Sequence, residues 1–67
     1  MRNHDRPRSE YEKVIEEWIF SERDRRLIRR RLFDGITYEA LAEEFDLSVT
    51  QVKRIIYKTE AEIIRHI

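Results

Sequence analysis

The sequence predicts an all-α domain of four helices, the last two joined by a tight turn. Three observations carry this expectation. Apolar residues recur at i, i+3, i+4 and i+7, and no alternating run suggests a strand. Punctuating residues are almost absent, Pro7 and Gly35 being the single proline and the single glycine. A serine or threonine precedes each periodic run, the residue type that satisfies orphaned amide donors at a helix start.

Residues 1–8 are polar, contain Pro7 and lack periodicity, so they are expected to form a flexible arm ahead of a domain spanning 9–67. The first helix should open at Ser9, with Glu12 three residues on completing a capping box. Its apolar stripe is Tyr11, Val14, Ile15 and Trp18, and Trp18 is expected in the core. Ser21 with Asp24 opens the second helix, whose apolar side is Leu27, Ile28, Leu32 and Phe33. Gly35 should close it in a left-handed cap.

Thr37 caps a short third helix, Tyr38 to about Phe45, with Leu41, Ala42 and Phe45 turned inward. Asp46 and Leu47 make the turn, and Asp46 is a residue that tolerates positive φ. Ser48 with Gln51 forms a second capping box and opens a final helix with no internal breaker. Its stripe of Val52, Ile55, Ile56, Ile63 and Ile67 is wider than a short core helix needs. Ile63, Ile64 and Ile67 fit either packing onto the first helix or a homodimer seam.

Sixty-seven residues hold one small domain with an economical core. Without cysteine there is neither a disulfide nor a zinc–thiolate site. His4 and His66 stand near opposite ends of the chain, so no metal and no cofactor is expected. No apolar run approaches the roughly 20 residues of a membrane span and no signal peptide is evident, so a cytoplasmic protein is expected. Catalytic residues are expected to be none, because nothing resembles a nucleophile–base–acid set or a glycine-rich phosphate loop.

Charge is informative by its placement. The formal net charge is zero although 42% of residues are charged. Residues 23–31 carry six arginines (23, 25, 26, 29, 30 and 31) against Asp24 alone. Residues 48–59 carry Lys53, Arg54 and Lys58 and no acid. Acids gather instead at 10–17 and 39–46. Such segregation fits a basic face on a neutral molecule, and it equally fits ordinary solvated helix faces.

The most informative stretch is TYEALAEEFDLSVTQVKRII, residues 37–56. Leu41, Phe45, Leu47, Val52 and Ile55 are spaced to hold two short helices together, and Ala42 gives the small residue their crossing needs. With the three-residue turn and the Ser48 cap, this reads as a helix-turn-helix more than as a purely structural hairpin. In that motif the second helix enters the major groove of duplex DNA, amino end first. Val49, Thr50, Lys53 and Arg54, with Tyr57 a turn further on, are then the candidate base contacts. Tyr57 also fits partial packing.

The string RRLIRRRLFDGITYEALAEEFDLSVTQVKRI resembles region 4 of bacterial sigma factors, a four-helix module that recognises the promoter −35 element. The resemblance runs over about residues 11–64. Thr-x-Glu at 37–39, Phe45-Asp46 at the turn and Ile-x-x-Lys at 55–58 are close to primary sigma factors. The runs LFDGITYE and SVTxVK are more like the extracytoplasmic-function type, and response-regulator output domains share much of the pattern. The resemblance implies phosphate contacts by Arg23, Arg31 and Gln51. Thr37 and Tyr38 at the start of the third helix, with Ser48 and Lys58, complete the candidate phosphate set.

Two departures from the family stand out. Primary sigma factors carry Arg, Glu, Arg and Gln where this chain has Val49, Thr50, Lys53 and Arg54, which implies a target other than the ordinary −35 hexamer. Arg30 falls where the family usually has an apolar residue, which implies either a rotated second helix or an edge position. The expected function is that of a stand-alone, DNA-binding transcriptional regulator, since nothing in the chain could engage and melt a −10 element. The alternative is a module that binds RNA polymerase, or another protein, without reading DNA. Expected partners are therefore double-stranded DNA and, by resemblance, RNA polymerase.

Overall fold

The computed structural model describes residues 6–67. Four helices and no strand are found among them: α1 (Arg8–Trp18), α2 (Glu22–Asp34), α3 (Tyr38–Phe45) and α4 (Val49–His66). Helix α4 is the hub and touches each of the other three. Ile15, Leu27, Ile28, Leu41, Val52 and Ile56 are fully buried around it, so every helix contributes to one core.

The first helix departs from expectation at both ends. It begins at Arg8 behind Pro7, whose fixed φ of −59° suits a helix entry, and no side chain caps it. Arg8, expected in the arm, is thus helical, and the remainder of that arm at 1–5 lies outside the described residues. The Ser9–Glu12 capping box does not form. Ser9 already lies inside the helix, and the Glu12 carboxylate accepts instead from Arg29 Nε across the helix pair at 2.8 Å.

Trp18 is the larger correction. It is 42% exposed, and its ring stacks on that of His66 at 3.7 Å. The helix ends there, the chain turns extended at Ile19 (φ −105°, ψ 110°), and Ile19 takes the buried place. Helical spacing could not foresee that the stripe would be completed by a residue beyond the helix. Arg25 reaches back from α2 to cover the open carbonyls at this end, donating to Glu16 O at 2.9 Å and to Ile19 O.

The other boundaries follow their caps. Ser21 Oγ accepts from Asp24 N, and Thr37 Oγ1 accepts from Ala40 N. Gly35 closes α2 at φ 67°, with nothing within 4 Å of where a Cβ would stand, so conformation and not space calls for glycine. Asp46 takes the left-handed turn at φ 57°. Ser48 and Gln51 form the reciprocal box, Gln51 N donating to Ser48 Oγ at 3.1 Å and Ser48 N donating to Gln51 Oε1 at 2.9 Å.

The apolar stripes are mostly as spaced. Leu32 is the exception in α2, being 38% exposed, while Phe33 and Phe45 are half-buried against the core. Along α4, Ile63 is buried and Ile67 packs on the core, while Ile64 is 74% exposed. Of the two alternatives for these isoleucines, packing within the chain therefore takes Ile63 and Ile67 and leaves Ile64 outside. Thr59 is buried among them, its hydroxyl satisfied by donating to the carbonyls of Ile55 and Ile56. No helix among the described residues is long and apolar enough to cross a membrane.

Candidate nucleic-acid interface

The arginine-rich second helix divides into two groups. Arg29 donates to Glu12 and Glu16 of α1, and Arg30 forms a fork on Glu44 of α3 while also meeting Asp34. These bonds raise the pKa of both guanidiniums above the ordinary arginine value, Glu12 being the main cause for Arg29 and Glu44 for Arg30. Arg30 holds the Glu44 carboxyl below its ordinary value in return. Arg30 therefore occupies an edge, joining α2 to α3, and α2 need not rotate to accommodate it. With Arg25 capping α1, these three arginines serve the fold.

A second group of cations remains open. Among the described residues, Arg31, Lys53, Arg54 and Lys58 make no ion pair with any carboxylate. Helix α4 sets three of them by its periodicity. Residues advance about 100° each around a helix, so Lys53 and Lys58 stand about 140° apart. Thr50, Arg54 and Tyr57 fall inside that arc, and the buried residues Val52, Ile55, Ile56, Thr59 and Ile63 lie on the opposite side. Thr50, Lys53 and Arg54 are exposed, as is Tyr57 at 57%.

Each edge of this arc meets a neighbouring helix. On one edge the Lys53 ammonium stands 5.8 Å from the centre of the Tyr38 ring at the start of α3. The Arg31 guanidinium lies over the same ring at 4.3 Å and is steered there by donating to Ile36 O at 2.9 Å. On the other edge, Gln51, Arg54 and Lys58 share a shallow cleft of about 260 Å³ with Arg23, Leu47 and Ile55, a lining that contains no acid. Arg23 is also bonded to the buried Asp24 at 3.1 Å, which holds it at the head of α2.

Most of the residues singled out from sequence thus fall on one contiguous region built by α4, the start of α3 and two ends of α2. Val49 departs from expectation, being half-buried against the core and so less available than the other candidate base contacts. Thr37 and Ser48 lie at the helix starts with their oxygens engaged as caps, which leaves each hydroxyl proton free to donate. Gln51 has its carbonyl committed to Ser48 N and keeps its amide protons available.

Sequence reasoning missed the split among the arginines. A signal was present: Arg25 and Arg29 are four apart on one helix, as are Glu12 and Glu16 on its neighbour, which is how two charge rows meet across an antiparallel pair. It also missed Arg26, exposed and 5.3 Å from the Phe45 ring, and the shared ring of Arg31 and Lys53.

No curated protein and no solved structure gives a match to this chain. The family model of sigma-70 region 4 matches residues 20–63, which takes in α2, α3, the turn and most of α4 and leaves α1 outside. With its helix-turn-helix in place, the chain belongs to the sigma-70 region 4 family, a DNA-binding module.

Proposed function

We propose that this protein regulates transcription by binding duplex DNA with α4 in the major groove. The observation that carries the reading is the sorting of cations. Arginines beside acids are neutralised within the fold, whereas Lys53, Arg54 and Lys58 on α4 stay unpaired on one exposed arc. A protein of zero net charge gains a local positive surface this way. Thr50, Lys53, Arg54 and Tyr57 supply the exposed side chains of the arc, and Arg23, Arg31, Thr37, Tyr38, Ser48, Gln51 and Lys58 surround it as backbone contacts. Such work places the protein with the cell's DNA, in the cytoplasm.

Selection from a random duplex pool at physiological salt tests this directly. A defined motif should be enriched, and Lys53→Glu with Arg54→Glu should abolish binding without changing the helical content. Absence of any enriched motif, with only weak and steeply salt-dependent binding, would sink the sequence-specific reading.

A second reading is favoured by a different surface. Phe20 is 78% exposed and, with Trp18, borders a cleft of about 690 Å³ between the α1–α2 junction and the end of α4. Apolar exposure of this kind suits a protein partner, and RNA polymerase is the partner that family membership suggests. Phe20→Ala should weaken polymerase pull-down and leave duplex binding intact, whereas the double charge reversal should do the opposite.

A further inference from the structure

The open side chains of α4 divide into a central row and two flanks, and the division bears on which of them reads sequence. A major groove is ~12 Å wide and walled by two phosphate backbones, and an α-helix with its side chains is ~10–12 Å across. A helix that fills the groove therefore turns the centre of its outer arc to the base edges and its two margins to the walls. Thr50, Arg54 and Tyr57 hold the centre, and Lys53 and Lys58 hold opposite margins.

Both margins are reinforced from other helices. Lys53 is drawn toward α3 by the Tyr38 ring, over which Arg31 of α2 also lies. Lys58 lies in the cleft shared with Arg23 at the head of α2, a cleft that Arg54 also borders from its place nearer the centre of the arc. Each margin thus sets a lysine of α4 that pairs with no carboxylate among the described residues beside an arginine of α2, Arg31 unpaired on one side and Arg23, bonded to Asp24, on the other. Two cations gathered at one aromatic ring, neither of them ion-paired among the described residues, set positive charge where a phosphate wall would pass.

We infer that Lys53 is a backbone-positioning residue, clamping one phosphate wall together with Arg31 and Tyr38 while Lys58 and Arg23 clamp the other, and that base readout falls to Thr50, Arg54 and Tyr57. The inference rests on the duplex-binding reading and makes it more specific: Lys53 matches a candidate base-contact position in sequence, and its surroundings give it the other task.

The test compares the sequence preference and the salt dependence of binding for wild type and four variants, on the full chain, each checked by thermal melting. Lys53→Ala should weaken binding to all duplexes by one common factor, roughly tenfold for one charge-assisted contact, and lower the salt slope by about one. Lys53→Arg should restore affinity with the preference unchanged, because a phosphate accepts either cation whereas a base edge distinguishes them. Tyr38→Leu should reproduce the uniform loss. Arg54→Ala should relax preference at one base position with a smaller effect elsewhere. A changed preference at a single position in Lys53→Ala or Lys53→Arg overturns the inference while leaving the duplex-binding reading intact. A wild-type protein that binds no duplex overturns both.

Discussion

At the residue scale, two positions depend on left-handed backbone, and they differ in how the sequence meets the demand. Gly35 accepts φ 67° without a Cβ penalty, and Asp46 accepts φ 57° because its short polar side chain is among those that enter this region. Gly35→Ala isolates the conformational cost, since no atom lies within 4 Å of the new methyl group. It should destabilise the domain by about 1 kcal/mol, a fall in melting temperature of roughly 5 °C for a chain of this size, with DNA binding unchanged. A drop several times larger would show that the α2–α3 connection is held by more than backbone conformation. Both left-handed positions were legible in the sequence, because each rests on the intrinsic preference of one residue type. The exposure of Trp18 was not, because it depends on where α1 stops and on Ile19 filling the space beyond it.

At the element scale, helix starts proved more legible than helix partners. Ser21, Thr37 and Ser48 each cap the helix that follows, by bonds to a residue three positions on. Ser9 fails although its spacing to Glu12 is the same, because the helix already begins at Arg8 behind Pro7 and leaves Ser9 inside it; the Glu12 carboxylate is then free to bond Arg29 across the helix pair. The ion pairs joining helices give the fold a pH dependence whose sign follows from Glu44. Arg30 depresses its folded-state pKa, so its stabilisation is present above the unfolded value and is lost as pH falls through the folded one. Stability should therefore decline as pH drops below about 4.5, the ordinary glutamate value, and high salt should shrink the effect because both groups are exposed. Thermal melting of Glu44→Gln from pH 7 to pH 3 should show a flatter acid limb than wild type. An acid limb unchanged by the substitution would mean that the Arg30–Glu44 fork does not contribute.

At the scale of the whole molecule, α4 carries two tasks at once, organising the core on one side and presenting the open cations on the other. A domain of this size has a total stability of only about 3–10 kcal/mol, so damage to the hub should not remain local. Ile56→Ala removes a fully buried side chain at a cost of about 2–5 kcal/mol and should melt all four helices together, read by circular dichroism and by loss of hydrogen-exchange protection in α1 as well as α4. Continued protection of α1 would show that the helices do not unfold as one unit. The sequence by itself determined the number of helices, most of their starts, both left-handed caps and the outward arc of α4, because each of these depends on local preference or on a period of about 3.6 residues. Only the tertiary structure decided which arginines are spent on neighbouring helices, that Val49 is half-buried, that Ile63 and Ile67 serve the chain's own core, and that Lys53 shares the Tyr38 ring with Arg31. Those outcomes depend on distances between segments far apart in sequence, and helical period fixes the direction of a side chain without naming what it will meet.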